Sequence, residues 1–185
     1  MRFFRPSGAK IPFVEPIEEP MIEMKVRGIA VDPTLKAPAV ILTDEDEKRY
    51  LPIWIGVPEA TAIFLQLNEQ TVPRPMTHDL LKSVIDTLGA KLVKVVINDI
   101  DQKTFFARLF LDAGKGEEPL EVDSRPSDAI ALALRTGSPI FVAEKVVIKE
   151  TIPDKEKYKQ EISEFKQFLE NLSPSDFHSG AGPEG

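Results

Sequence analysis

The chain has 185 residues, 23 of them Lys or Arg against 30 Asp or Glu, and its formal charge of −7 argues against a surface that grips nucleic acid by bulk charge. It has no cysteine, which excludes a disulfide framework, a thiolate nucleophile and zinc–thiolate sites and fits a reducing compartment. No apolar stretch reaches the length of a membrane span and the first residues lack an apolar signal core, so the expectation is a cytoplasmic protein with no membrane partner.

Residues 1–20 carry Pro6, Pro12, Pro16 and Pro20 among scattered charges and read as an extended arm. Alternation over Met21 to Val31, Ala39 to Thr43 and Arg49 to Ile55 predicts three strands, the last two split by the acidic turn Asp44-Glu45-Asp46-Glu47. Trp54 falls inside such a run and is expected in the core rather than as a base-stacking platform. Gly56-Val57-Pro58-Glu59 signals a helix start, with Ala60, Ile63, Phe64 and Leu67 at helical spacing. Pro73-Arg74-Pro75 is a stiff connector that holds Arg74 extended. Thr77 is the expected N-cap of a second helix carrying Leu80, Leu81, Val84, Ile85 and Leu88, stopped by Gly89.

Strands follow at Lys91 to Asn98, Thr104 to Asp112 and Leu120 to Asp123. A helix then opens with Arg125 as N-cap, Pro126 at N1 and Asp128 at N3, and Gly137 and Pro139 end it. Its residues Ala129 to Leu134 are apolar on every face, so it should be buried all round. Pro139 to Val142 reads as a strand, and Glu144 to Lys149 fits either strand or helix. Tyr158, Ile162, Phe165, Leu169 and Leu172 mark the narrow apolar seam of a C-terminal amphipathic helix, placed at 151–172, before a Ser/Gly/Pro tail, expected to be disordered, over 173–185. The predicted class is α+β, a mixed and largely antiparallel sheet with packed helices over 21–150. Two halves reading β-β-β-α and α-β-β-β-α-β are compatible with a duplicated βββα-like unit, without a residue-level repeat.

Three segments carry a family resemblance: Leu51-Pro52-Ile53-Trp54-Ile55-Gly56 with Glu59-Ala60, Pro73-Arg74-Pro75-Met76-Thr77-His78-Asp79-Leu80-Leu81, and Asp123-Ser124-Arg125-Pro126-Ser127-Asp128-Ala129-Ile130. In this order and spacing they resemble the bifunctional nuclease domain family, long classed as a domain of unknown function, over roughly Met21 to Ile148. The resemblance implies a compact α+β domain, a homo-oligomer of two or more subunits, and hydrolysis of both DNA and RNA. It carries no settled catalytic role for any residue.

Phosphodiester hydrolysis needs an activated water and a counter-charge for the developing oxyanion, often one or two Mg²⁺ or Mn²⁺ ions on carboxylates. Glu59, Asp79, Asp123 and Asp128 are the candidate metal ligands, and Asp123 and Asp128 would converge if strand end and helix start fold together. Arg74, Arg125 and Ser127 are the candidates for phosphate, and His78, Asp79, Asp123, Arg125 and Asp128 for catalysis. The plainer role for Glu59, Asp79 and Asp128 is to complement a helix dipole from its first turn, for a few tenths to about 1 kcal/mol each. His78 is the only histidine before the tail, where His178 lies, so it is either the general base or a structural hydrogen-bond partner. Arg74 has a salt bridge to Asp79 or Asp128 as its structural alternative. Ser124 and Ser127 lack a histidine–carboxylate relay, which argues against a serine hydrolase. The other functional class is a non-catalytic regulatory or assembly module for a protein or small-molecule partner, in which the three motifs fix the fold or an interface.

Overall fold

The computed structural model describes residues 19–31, 37–114, 116 and 118–150. The predicted arm (Glu19 and Pro20 apart), the helix over 151–172 and the tail over 173–185 lie outside the described residues. The strands are β1 (Met21–Val31), β2 (Pro38–Thr43), β3 (Tyr50–Trp54), β4 (Lys91–Asp101), β5 (Thr104–Asp112), β6 (Leu120–Ser124) and β7 (Ile140–Ala143). The helices are α1 (Val57–Leu67), α2 (Thr77–Thr87), α3 (Pro126–Thr136) and α4 (Glu144–Glu150). The segment that fitted strand or helix is therefore helical.

All seven strands form one sheet in the order β3-β2-β1-β7-β4-β5-β6, antiparallel except for the β4/β7 pair, which confirms the α+β class. The turn before β3 is set by Asp44, whose Oδ1 accepts the backbone N–H groups of Lys48 at 2.7 Å and Arg49 at 3.1 Å. The β4–β5 connection is tighter than the sequence suggests. Gln102 and Lys103 take φ values of 44° and 66°, the pattern of a two-residue hairpin turn, so the strands run on to Asp101 and restart at Thr104. Helix α4 touches β3, β4 and β7, although β2, β1 and β7 separate β3 from β4, so the sheet is strongly curved.

Helix α3 is the hub of the helical layer. It packs on α1, α2, β4 and β5, and Ala129, Ile130, Ala131, Leu132 and Ala133 are all buried, as its uniformly apolar sequence predicts. Arg125 is its N-cap, and Gly137 ends it in the left-handed region at φ 69°, which a side chain would disfavour.

Helix α2 departs from expectation at both its start and its face. Met76, not Thr77, is the N-cap, because Asp79 folds back from N3 and its Oδ2 accepts the Met76 N–H at 2.8 Å. Only His78 and Ile85 of α2 are buried. Leu80, Leu81, Val84 and Leu88 are exposed, because α2 leans on α3 and β4 by one narrow side and its remaining apolar residues spread beyond that side.

One buried cation joins the three longer helices. Arg135, in the last turn of α3, has a side chain only 5% exposed and donates Nε–H to Asp79 Oδ1 at 2.6 Å. Its terminal nitrogens reach the Ala62 carbonyl of α1 at 3.2 Å, and one also reaches Ala131 O at 2.9 Å. A helical side chain leans toward its own N-terminus, which lets an arginine at the end of α3 meet the start of α2. Arg135→Ala should lower unfolding free energy in urea by about 3 kcal/mol, the cost of leaving the partly buried Asp79 carboxylate without its cation. Arg135→Lys should recover only part of it, since an ammonium lacks the planar fork. A wild-type urea midpoint for Arg135→Ala would contradict this role.

Candidate functional site

Three helix starts supply the polar cluster. Glu59 is at N3 of α1, His78 at N2 of α2, and Asp128 at N3 of α3, with Arg125 at the N-cap of α3. Arg125 grips Asp128 with two parallel bonds, Nε to Oδ2 at 2.7 Å and a terminal nitrogen to Oδ1 at 3.0 Å. Its other terminal nitrogen donates to Glu59 Oε1 at 3.0 Å, and His78 Nε2 lies 3.1 Å from Asp128 Oδ1. The chain Glu59–Arg125–Asp128–His78 thus ties the first turns of α1, α3 and α2 together. His78 is only 8% exposed, whereas the Arg125 side chain is 65% exposed, so the relay runs from a buried imidazole to an open guanidinium.

Burial alone would raise the Asp128 carboxyl. The hydrogen bonds from Arg125 and His78, with the charges of the same two groups, outweigh it and hold Asp128 below the usual carboxylate value. Asp79 is likewise raised by burial and more than compensated by the Arg135 and Met76 hydrogen bonds and the neighbouring positive charges. Asp128 first, then Glu59, stabilise the charged form of Arg125 further.

Beside the relay lies a cleft of about 460 Å³ that runs from the end of β3 to the β4–β5 turn, lined among others by Trp54, Glu59, Lys103, Phe105, Arg125 and Ser127. Gly56, the N-cap of α1, is part of this wall, and a Cβ there would collide with Oε2 of Glu59. The glycine therefore leaves room for the carboxylate to fold back over the helix start and meet Arg125.

The sequence-predicted residues divide accordingly. Glu59, Arg125, Asp128 and His78 are brought together, and Ser127 lines the same cleft although it is buried. Asp79 has both carboxylate oxygens engaged, one by the helix cap and one by Arg135. Asp123 does not converge with Asp128. On β6 it pairs with Arg108 of β5, while Ser124 pairs with the buried Ala107, so strand alternation puts Asp123 on the sheet face away from the core. Arg74 is exposed, and among the described residues it forms neither of its expected salt bridges. Among the described residues no group of three or more His, Asp or Glu side chains is placed to hold a metal ion, so the four carboxylates do not fit one ligand set as they stand.

Three contributors were not foreseen. Trp54, expected in the core, is 51% exposed. Leu51 and Ile53 take the core side of β3, and alternation leaves Trp54 on the other side at the strand's last residue. Lys103, in the β4–β5 turn, lines the cleft and belongs to none of the three motifs. Arg135 was legible only as a lone charge closing an apolar helix, which must find a partner if that helix is buried.

The sequence model of the Bifunctional nuclease domain family matches residues 40–155. An uncharacterized protein of Mycobacterium tuberculosis (strain ATCC 25618 / H37Rv) is 40% identical over 166 residues, 85% of this chain and 98% of that protein. Bifunctional nuclease 2 of Oryza sativa subsp. japonica is 31% identical over 118 residues, 63% of this chain and 36% of the plant protein. Bifunctional nuclease 1 of Arabidopsis thaliana is 31% identical over 107 residues, 57% of this chain and 33% of its own length. Among the described residues no helix is long and apolar enough to cross a membrane.

The carboxylates give the fold a defined acid response. Asp79 and Asp128 titrate lower in the folded chain than in the unfolded one, so their stabilisation is complete above about pH 5 and is lost as pH falls through the folded-state values. The urea midpoint should therefore fall between about pH 5 and pH 3. Asp128→Asn should flatten that fall, and a pH profile identical to wild type would contradict the pairing of Asp128 with Arg125 and His78.

Proposed function

Because the chain belongs to the bifunctional nuclease domain family, we propose that it hydrolyses phosphodiester bonds of both DNA and RNA, and that it does so in the cleft at Arg125. The observation that carries this reading is the exposed guanidinium of Arg125, anchored by two carboxylates and opening on that cleft. Arginine has five N–H donors, and Glu59 and Asp128 engage three of them, which leaves two for the non-bridging oxygens of a phosphate. The first turns of α1, α2 and α3 add the partial positive charge of their dipoles around the same point. Together with Lys103 they provide local counter-charge in a protein whose net charge repels polyanions.

In this reading Arg125 holds the phosphate and stabilises the charge that develops on its oxygens as water attacks. Glu59 is the carboxylate that lines the cleft and accepts the proton of that water, while the bond from phosphorus to the leaving sugar oxygen breaks and that oxygen takes a proton from solvent. Asp128 fixes the guanidinium, and the buried His78 is a positioning residue that orients Asp128. Asp79 serves the fold rather than the chemistry. A divalent cation, Mg²⁺ or Mn²⁺, would draw on Glu59 and Asp128 and would require their ion pairs with Arg125 to open.

The outward apolar residues Leu80, Val84 and Leu88 of α2 favour a second reading, a non-catalytic assembly module that docks a partner or a second copy. Cleavage of labelled single- and double-stranded DNA and RNA, in Mg²⁺, Mn²⁺ or EDTA, separates the two. Arg125→Ala should lose at least about a hundredfold in cleavage rate, the usual cost of deleting one preorganised oxyanion donor. Gly56→Ala, which displaces the Glu59 carboxylate, should fall with Glu59→Gln while its urea midpoint stays near wild type. Equal cleavage by wild type and Arg125→Ala would trace the activity to a contaminant and leave the assembly reading.

A further inference from the structure

The same cleft has an aromatic wall that phosphate chemistry does not need. Trp54 is half-exposed at the end of β3, Phe105 is the second residue of β5 and partly buried on the core, and both line the space that Arg125 and Lys103 border. A tryptophan half in water beside two cations offers a flat apolar face to a ligand that carries both a ring and an anion. The inner half of Trp54 borders the small buried cluster of Ala30, Ala39, Ile41 and Tyr50, with Ala39 directly opposite on β2, and its outer half is free. A volume of about 460 Å³ lies within the range of pockets for small ligands and can admit one base, whereas the bases of a double helix are stacked on one another and do not enter.

We infer that the cleft takes one unstacked nucleotide, its base against Trp54 and its phosphate on Arg125 and Lys103, so that the substrate class is single-stranded DNA or RNA rather than duplex. This rests on the proposed nuclease reading for its consequence but not for its detection. Base–aromatic stacking is tolerant of base identity because every base has a π face, and the sugar 2′ position takes no part in it. One surface therefore serves both DNA and RNA strands. Lys103 is suited to the phosphate next in line, because the tight β4–β5 turn holds its backbone in the left-handed region and fixes where its stem departs. Unlike Glu59 and Asp128, neither Trp54 nor Lys103 belongs to the relay, so both set specificity without assembling the site.

Trp54 is the only tryptophan of the chain, which makes it its own probe. Tryptophan emission of the full-length protein is titrated in EDTA with a single-stranded octanucleotide, with the duplex of the same sequence, and with ribose 5-phosphate. The single strand should quench the emission, the duplex should quench it at least about tenfold less effectively, and ribose 5-phosphate, which has no base, should leave it unchanged. Anisotropy of a labelled octanucleotide should show affinity reduced about tenfold or more by Trp54→Ala, largely restored by Trp54→Phe, and made less salt-dependent by Lys103→Gln. Equal quenching by single strand and duplex, or unchanged affinity in Trp54→Ala, would overturn the inference. A protein that binds in this way yet cleaves nothing would overturn only the nuclease reading, whereas one that cleaves but fails the quenching test would overturn only the stacking.

Discussion

A helix buried on every side has only its ends left for polar chemistry, and at each end of α3 that chemistry belongs to an arginine. Arg135 satisfies itself inside, on Asp79 and the Ala62 carbonyl, and thereby sets where α1 and α2 start relative to α3. Arg125 stands at the opposite end, half in water, where the same three helix starts can reach it. An ion pair that is mostly buried contributes little net stability compared with good apolar packing, and its removal is costly because the surviving partner is stranded. What such a pair supplies is geometry. The Arg135 tie fixes the angle at which α2 presents His78, and His78 in turn restrains the carboxylate that holds Arg125.

That arrangement would reconcile an acidic protein with the anionic substrate proposed for it. Polyanion binding by charge alone needs many lysines and arginines and fades with salt, and this sequence has neither the surplus nor a basic block. A single preorganised guanidinium, flanked by helix starts and one lysine, confines the positive potential to one cleft. The carboxylates that anchor it also cancel part of its charge, so the site favours a ligand that offers more than phosphate. The aromatic wall is where that further contact is available.

Much of this was legible in the residues. The Arg125–Pro126–Asp128 opening and the Gly137 stop located α3, and its unbroken apolar run announced that it would be surrounded. Two of the places that misled share one physical cause, the two-residue period of a strand. Trp54 lies one position past Ile53 and Asp123 one before Ser124, and a single residue moves a side chain to the opposite face. Composition says nothing about which face is which until the register is known. The start of α2 was missed for another reason. Thr77 is the better cap by type, but Asp79 reaches back to Met76 and is held there by Arg135, a contact 56 residues distant that no local pattern contains.

The central claim is that Glu59, Arg125, Asp128 and His78 act as one unit, and a double-mutant cycle on cleavage reads it most directly. Rates would be measured for wild type, Arg125→Ala, Asp128→Asn and the double variant on one labelled single-stranded RNA. If Asp128 works through the guanidinium it grips, the double variant should lose little more than the worse single one. Losses that multiply would show two independent contributions and contradict the relay.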